Sequence, residues 1–288
     1  MFGVHGPRDA SRSVADGGRR RSAGQGGIEV GEVVCAAGDG SGPVLDRLTR
    51  PLTVLVGHAG SGKTEIAVNL AFALRARGAE VTLVDLDLVK PFFRCRLVKE
   101  ELEARGIRLV APGGDRFYAD LPILDPGVRA AAGEGIAGDR RVICDVGGSD
   151  LGARVLGSLA DVLDRAATDL LFVVNAYRPF AEDGASLGRM LRAVQGAARL
   201  EITGLVANTH LMEETTAEDV RAGIRAAREL EAATGIPLRF CAVLAALART
   251  LDGRDGGVEN LPILAMERHI VAPFVLRPRG ARRPLTVV

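Results

Sequence analysis

The chain is poor in features that mark several common classes of protein. It has no tryptophan and only 4% aromatic residues, so an aromatic platform for stacking nucleic-acid bases is not expected. Its formal net charge is +1, which gives no overall field to attract nucleic acid or an anionic membrane. No apolar run approaches the roughly 18 to 20 residues that span a bilayer. We therefore expect no nucleic-acid partner and no stable membrane association.

Closely spaced cysteines are also missing. The four cysteines lie far apart and form no C-x-x-C pair; they are Cys35, Cys95, Cys144 and Cys241. This spacing argues against a disulfide framework and against a zinc or iron–sulfur site built from one local motif. Free thiols are typical of reducing compartments, so a cytoplasmic location is predicted.

Lysine is scarce, and one lysine lies in the most informative stretch of the chain. Among 37 basic residues only three are lysine, and Lys63 is one of them. It belongs to Gly57-His58-Ala59-Gly60-Ser61-Gly62-Lys63-Thr64, which fits the phosphate-binding pattern G-x-x-x-x-G-K-[ST]. An apolar run over 52–56 precedes the motif, and a helical pattern over 64–77 follows it. Strand, glycine loop and helix N-terminus together direct backbone N–H groups at phosphate oxygens.

Two further apolar runs end in carboxylates. The run 81–86 carries Asp85, with Asp87 two residues on and therefore on the same side of the strand. The run 141–146 carries Asp145 and is followed by two glycines, of which Gly148 is predicted to approach the terminal phosphate. Carboxylates at the carboxyl ends of strands meet at the edge where open α/β sheets bind ligands. They predict a Mg²⁺ site and a group that orients the attacking water.

A third polar turn follows the run 202–207. Asn208 carries both a donor and an acceptor, which suits an adenine edge, although a plain turn-forming role stays open. A guanine-selective N-K-x-D would need Lys at 209 and Asp at 211, where this chain has Thr209 and Leu211. The sequence therefore favours ATP over GTP.

These motifs define the predicted site. The predicted catalytic residues are Lys63 and Asp87, and the predicted metal ligands are Thr64, Asp85 and Asp145. The predicted cofactor-binding residues are Gly57, His58, Ala59, Gly60, Ser61, Gly62, Lys63, Thr64, Glu65, Gly148 and Asn208. The predicted cofactors are ATP and Mg²⁺.

Apolar runs alternate with helical patterns from residue 51 onward. Further runs lie at 107–110, 169–175 and 238–244, and helical patterns at 93–105, 151–166, 184–199 and 217–234. This alternation predicts an α/β fold with a doubly wound, mostly parallel sheet and helices on both faces. We predict a disordered tail over 1–50, a P-loop ATPase domain over 51–275 and a C-terminal tail over 276–288.

The motifs, in this order, resemble the MinD/ParA-like branch of P-loop ATPases, the CobQ/CobB/MinD/ParA nucleotide-binding domain, over roughly 51–245. Asp85-Leu86-Asp87 is similar to the family's strand-end acids, Asp145 to its Walker B acid and Asn208 to its base-contacting Asn. The stretches 57–65 and 85–94 are most similar to a bacterial ATP-binding subgroup rather than to MinD or ParA proper. The resemblance implies Mg²⁺-dependent ATP hydrolysis and a nucleotide-dependent homodimer.

One position departs from the family pattern. The family loop usually carries a Lys at the position of His58, and that Lys reaches the partner's phosphates across the dimer. A cation supplied in trans is worth about 10³ to 10⁵ in turnover. Either hydrolysis is slow here or another residue substitutes, and Arg94 and Arg96 are candidates.

Three functions fit these residues. The first is a nucleotide-driven switch for an unidentified protein client. The second is an ATP-dependent enzyme that activates a small carboxylate, as relatives of CobB and dethiobiotin synthetase do, with an acceptor pocket near 111–122. The third is an ATP-binding regulator with negligible turnover. The segment 175–180 is a further candidate to line a site beside the nucleotide.

Overall fold

Strands and helices alternate along the part of the chain that the computed structural model describes. That part comprises residues 42–87, 95–111, 126–138, 140–148, 150–178, 184–251 and 261–270. All of these residues fall within one compact unit, 35–288.

The described strands form one sheet of eight, and every pairing in it is parallel. The strands are β1 Leu52–Gly57, β2 Val81–Leu86, β3 Arg108–Val110, β4 Arg141–Val146, β5 Thr168–Val174, β6 Gly204–Ala207, β7 Leu238–Leu244 and β8 Ile263–Met266. Their order is β3-β2-β4-β1-β5-β6-β7-β8. The loop after β1 therefore lies at the centre of the edge formed by the strands' carboxyl ends.

Helices cover both faces of this sheet. They are α1 Gly42–Leu45, α2 Lys63–Ala76, α3 Lys99–Ala104, α4 Pro126–Ile136, α5 Asp150–Ser158, α6 Gly184–Ala198, α7 Ala217–Thr234 and α8 Ala245–Leu251. Two short 3-10 helices, Cys95–Val98 and Met212–Glu214, connect them. None of the helices in the described ranges combines enough length with enough apolar character to cross a bilayer.

Two apolar clusters form the core, one on each side of the sheet. Leu52, Val54 and Val56 of β1 point into the cluster that also contains residues of α4, α5, α6 and α7. Leu55 points the other way, into the cluster that contains residues of α1, α2 and α3. Because successive side chains of a strand alternate between faces, both faces of the central strands must be apolar. The predicted doubly wound sheet with helices on both faces is confirmed.

Some predicted elements agree closely with the structure and others end early. The ranges of α7 and β7 match the predicted 217–234 and 238–244. A capping box of Thr216 and Asp219 begins α7, and Gly235 in the left-handed region ends it. In contrast, α5 ends at Ser158 rather than at 166, and turns follow it.

The sequence patterns did not reveal α4, α8 and β8. The α4 sequence contains three glycines, and because glycine is a poor helix former the sequence did not indicate a helix there. Packing explains one of them, because a Cβ at Gly135 would lie 2.9 Å from side-chain atoms of Leu52 and of Val142. Tertiary contact with the sheet thus selects glycine there against helix propensity.

Part of the predicted disordered tail has regular structure. Residues 42–50 were assigned to a disordered tail, yet α1 forms there and Val44, Leu45 and Leu48 are buried against α2. Burial of these three apolar side chains gives the segment its place in the fold. The rest of the predicted N-terminal tail, all of the predicted C-terminal tail and residues 112–122 lie outside the described residues.

Candidate functional site

The loop between β1 and α2 has a backbone that requires glycine. Gly57, Gly60 and Gly62 have φ values of 138°, 78° and 89°, which side-chain-bearing residues rarely adopt. A Cβ at Gly62 would also lie 2.1 Å from Nδ2 of Asn208. The loop therefore wraps tightly at the N-terminus of α2, as the phosphate-binding motif predicts.

The side chain of Lys63 is hydrogen-bonded to the backbone of this loop. Its Nζ donates to the carbonyl oxygens of Gly57 at 3.1 Å and His58 at 2.8 Å, and lies 3.5 Å from Oγ of Ser61. Lys63 is only 5% exposed to solvent. A buried ammonium held by carbonyl oxygens is positioned for anionic oxygens that enter the loop.

Two buried carboxylates face this lysine from neighbouring strands. Asp85 on β2 and Asp145 on β4 are register partners, and both are almost fully buried. Asp85 accepts hydrogen bonds at both oxygens, from the Asp87 backbone at 3.0 Å and from Nε of Arg96 at 3.1 Å. Asp145 differs, because its Oδ1 is buried without a hydrogen-bond partner among the described residues.

Asp145 is hard to ionise in this setting. Burial and the charge of Asp85 raise its pKa to about 7, and Asp87 adds a smaller contribution. The Lys63 ammonium and the Thr64 hydroxyl lower the same pKa and limit the shift. A cation placed beside Asp145 would stabilise its charged form.

The oxygen atoms of Asp145 and Thr64 are of the kind that binds Mg²⁺, but they are too few to coordinate the ion without water or phosphate ligands. Mg²⁺ prefers oxygen ligands and keeps several waters, and it is bound in nucleotide sites through one or two carboxylates and the phosphates. The free oxygen of Asp145 and the nearby Thr64 hydroxyl fit that role. No group of three or more potential ligands within the described ranges is arranged to hold a metal by itself. Asp85 differs from Asp145 in that each of its oxygens already accepts a hydrogen bond.

The turn after β4 packs directly on the loop. A Cβ at Gly148 would lie 2.4 Å from the backbone nitrogen of Ala59, so the two backbones are in contact. A Cβ at Gly147 would lie 2.9 Å from Oδ1 of Asp87, which is itself only 4% exposed. The structure thus brings Gly148 and Asp87 close to the loop, and the roles predicted for them at the phosphates stay predictions.

Asn208 supports the loop from the other side. Its Nδ2 donates to the Ser61 carbonyl at 2.7 Å, and the residue is 3% exposed. Thr209 beside it accepts a hydrogen bond from the Ala176 backbone at 3.0 Å. The sequence predicted a contact between Asn208 and the base. The structure shows a bond to the loop, and the contact with the base stays a prediction.

Glu65 has a role that the sequence did not predict. Its carboxylate accepts hydrogen bonds from the backbone nitrogens of His269 at 2.6 Å and Ile270 at 3.1 Å. Burial raises its pKa, against the opposing effect of these two bonds. The side chain, predicted to bind the cofactor, thus anchors the segment that follows β8 to the start of α2.

A cavity of about 680 Å³ opens from the loop along the carboxyl ends of β6, β7 and β8. Its loop end is polar and includes Lys63, Thr64, Asp87 and Asn208. Its far end is apolar and includes Val220, Val243, Leu247 and Met266. This volume lies within the range of small-molecule sites. An ion pair between Arg268 and Glu213 joins two walls of the cavity.

Three side chains near the loop were not assigned to the site from the sequence. Arg178 donates from Nε to the Gly60 carbonyl at 2.8 Å. His210 also lines the cavity, and burial followed by the charge of Arg178 lowers its pKa to about 4. Cys95 lies with Sγ 3.6 Å from Oδ2 of Asp145, and burial and that carboxylate raise the pKa of its thiol. Of the three, only Arg178 lies in a segment, the aromatic and proline-containing 175–180, that the sequence proposed to line a site beside the nucleotide.

A second cavity, of about 460 Å³, lies on the other side of the loop. His58, Gly148 and Arg154 line it, together with small residues of α6. Nδ1 of His58 donates to the Ala59 carbonyl at 2.8 Å.

Two arginines were candidates to replace the lysine that the family carries at position 58. Arg96 forms an ion pair with Asp85. Arg94 lies outside the described residues.

Comparison with solved structures finds distant matches. FtsY from Mycoplasma mycoides is 17% identical, with a TM-score of 0.48, over 67% of this chain and 59% of that chain. FtsY from Thermotoga maritima is 21% identical, with a TM-score of 0.47, over 69% of this chain and 67% of that chain.

Comparison with curated proteins finds short matches. The cytosolic Fe-S cluster assembly factor Nubp2 homolog of Drosophila grimshawi is 44% identical over 77 residues, which are 27% of this chain and 28% of that protein. The homolog of Drosophila virilis is 44% identical over 48 residues, 17% of this chain and 18% of that protein. The chain thus spans less than a third of the length of these relatives.

A family model covers most of the chain. The model of the CobQ/CobB/MinD/ParA nucleotide binding domain matches residues 52–240, from the first residue of β1 into β7. That range contains the loop, the acids after β2 and on β4, and Asn208. The chain therefore belongs to the CobQ/CobB/MinD/ParA nucleotide-binding domain family.

Proposed function

We propose that this protein binds Mg-ATP at the loop 57–64 and hydrolyses it as a switch for a protein client. One observation carries the proposal: Lys63 and Thr64 line one end of a cavity large enough for a nucleotide, and both interact with Asp145, the register partner of Asp85. This combination supplies cationic, amide and metal-binding groups where a triphosphate would lie.

Each group has a proposed role. Lys63 binds the terminal phosphates, and the Thr64 hydroxyl and the free Asp145 oxygen hold Mg²⁺. The metal neutralises charge on the phosphate oxygens. Asp87 orients the attacking water, which its position beside the loop and the turn after β4 supports.

The polar turn after β6 supports ATP rather than GTP as the nucleotide. At the position of a guanine-reading Lys, Thr209 is buried and bonded to the Ala176 backbone. At the position of the guanine-reading Asp, Leu211 is 47% exposed and carries no acceptor. The apolar far end of the cavity can take the base without a dedicated guanine contact.

The turn after β4 supports a switch. Gly147 and Gly148 contact Asp87 and the loop at the same time, and α5 begins two residues later. A change at the terminal phosphate would change this contact and move the start of α5, and a client protein could recognise that movement.

The cellular location is part of the proposal. The described cysteines are buried and form no disulfide, which fits a reducing, cytosolic location.

The first test is nucleotide binding. At 100 times its Kd, a ligand stabilises the native state by about 2.7 kcal/mol. We expect a thermal shift with Mg-ATP in the parent protein and none in Lys63→Ala, because the ammonium that binds the phosphates is gone. Lys99→Ala is the matched control, since Lys99 is exposed and pairs only weakly with Glu103. An unchanged shift in Lys63→Ala would refute the site.

Hydrolysis then separates the proposed functions. Turnover that a co-purifying protein stimulates supports the switch. Binding with no turnover under any condition supports a regulator, which the replacement of the family Lys by His58 makes the natural alternative.

The second cavity favours one other candidate, activation of a small carboxylate by phosphate transfer. It lies beside the loop and Gly148, and Arg154 at its wall is a suitable partner for a carboxylate. We expect phosphate release that depends on an added short-chain carboxylate if this is the function. Independence from a panel of such acids would exclude it.

A further inference from the structure

In the described ranges, three carboxylates lie beside the loop, against the two cations Lys63 and Arg96 that bond there. Asp85, Asp87 and Asp145 are all buried beside the loop. Lys63 is the loop cation, while Arg96 pairs with Asp85. A nucleotide triphosphate adds several negative charges next to these carboxylates. Such a site needs further positive charge, because buried like charges repel strongly in a low dielectric.

Arg178 lies on the tip of the loop. Its Nε donates to the Gly60 carbonyl at 2.8 Å, and a Cβ at Gly60 would lie 2.9 Å from Cζ of the guanidinium. The residue lines the same cavity as Lys63, Thr64 and Asp87. The guanidinium is thus in contact with the loop backbone at Gly60.

The turn that carries Arg178 is held by its own hydrogen bonds. The Arg178 nitrogen donates to the Asn175 carbonyl at 3.2 Å, and the Tyr177 nitrogen donates to Oδ1 of Asn175 at 3.0 Å. The strand before it, β5, pairs with β1 up to the register pair Gly57 and Val173. Arg178 therefore approaches the loop from a fixed turn on the adjacent strand.

Among the described neighbours of the guanidinium, His210 adds no second positive charge. His210 beside it is a weaker base than an ordinary histidine, because burial and the charge of Arg178 lower its pKa to about 4. It is therefore neutral at pH 7. Arginine has five N–H donors in a planar fork, so contact with phosphate does not require loss of the Gly60 bond.

We propose that Arg178 is a second protein cation on the phosphates of the bound nucleotide, supplied by the same chain that supplies the loop. This inference rests on the proposed nucleotide binding and adds to it the residue that balances the charge.

The test compares ATP with adenosine. Affinities are measured by competition against a fluorescent ATP analogue, with Mg²⁺, for the parent, Arg178→Ala and Arg178→Lys. We expect Arg178→Ala to weaken ATP binding about 10-fold to 100-fold, as loss of one charge-assisted contact does, and to change adenosine binding less than about twofold. The Lys variant should recover part of the loss, and the salt dependence of ATP binding should be shallower in the Ala variant.

Arg239→Ala is the matched control. Arg239 is also half-buried and donates from Nε to a backbone carbonyl, that of Thr203 at 3.2 Å, but it lies on β7 away from the loop. It should leave both affinities unchanged. Thermal unfolding of each variant without ligand checks that it is folded, and Arg178→Gln replaces the Ala variant if that protein is unstable.

The outcomes separate this inference from the proposed function. If the parent binds no ATP, or Lys63→Ala binds it normally, the proposed function fails. If Lys63→Ala abolishes binding while Arg178→Ala leaves ATP affinity unchanged, or weakens ATP and adenosine equally, only the role of Arg178 is refuted.

Discussion

At the scale of single residues, the described part of the site places one ammonium group close to more than one buried carboxylate. One ammonium is held by loop carbonyls, and two acids on adjacent strands share the space in front of it. The free oxygen of Asp145 is the group that most needs a partner, because an unpaired buried acceptor is costly. A metal and a nucleotide would supply that partner.

Asp87 offers a residue-scale prediction. If it orients the attacking water, Asp87→Ala binds ATP with near-parental affinity but hydrolyses it at least about 100-fold more slowly, since positioned acid–base groups contribute that much. Single-turnover phosphate release measures this effect. Asp46→Ala, in an exposed ion pair with Arg77, is the control and keeps the parental rate. Equal rates for parent and Asp87→Ala would remove Asp87 from the mechanism.

Sequence and structure differ in how far they identify these residues. The loop, Asp87, Asp145 and Gly148 were all found from motifs, because strand ends and glycine loops leave a clear local pattern. The bond from Asn208 to Ser61 and the anchoring role of Glu65 were not found. Each depends on a partner more than 140 positions away along the chain, which no local pattern contains.

At the scale of elements, the sheet places its polar turns by strand order. Because β4 and β5 flank β1, the turns after these strands contact the loop between β1 and α2. Gly148 contacts Ala59 from one side and Arg178 contacts Gly60 from the other. The loop is thus held between two turns.

Gly148 offers an element-scale prediction. In Gly148→Ala the new Cβ would meet the Ala59 nitrogen at 2.4 Å, and backbone cannot shift as easily as a flexible side chain. We expect a loss of about 1 to 3 kcal/mol in the free energy of unfolding, typical of overpacking, and weaker Mg-ATP binding. Urea unfolding and nucleotide titration measure the two effects.

Gly196→Ala on α6 is the control for this prediction. A Cβ at Gly196 meets nothing within 4 Å, and its helical position favours alanine over glycine. It should match or exceed the parental stability. Parental stability and affinity in Gly148→Ala would show that the turn moves aside freely.

At the scale of the whole molecule, buried titratable groups make stability depend on pH. The pKa of Asp145 rises in the folded state to about 7, so its contribution is present at low pH and is lost as pH rises towards 7. The pKa of His210 falls to about 4, so its contribution is present above pH 6.5 and is lost as pH falls towards 4. The two effects oppose each other between about pH 4 and 7.

Variants should separate these two contributions. Without nucleotide or metal, Asp145→Asn should make stability rise more steeply with pH between about 4 and 6.5 than in the parent. His210→Gln should have the opposite effect, because the gain at His210 no longer offsets the loss at Asp145. Urea unfolding at stepped pH measures both slopes. Parallel curves for parent and both variants would contradict these assignments.

The fold class itself followed from alternation of apolar runs and helical patterns. Strands buried on both faces, such as β5, are continuous apolar runs, and helices such as α7 carry clear periodicity and caps. Elements with weak local patterns, such as α4 with its glycines and the four-residue β8, were missed. Their stability comes from contact with the sheet, which a local window does not contain.

The amino-acid sequence by itself determined the type of fold, the phosphate-binding loop and the acids at the strand ends. These features depend on short-range geometry: the period of a strand or helix, the freedom of glycine and the chemistry of adjacent side chains. Only the tertiary structure decided that Arg178 lies on the loop, that both oxygens of Asp85 accept hydrogen bonds and that Oδ1 of Asp145 has no partner among the described residues. Those facts depend on which strands become neighbours, and strand order is set by packing of the whole sheet rather than by any one segment.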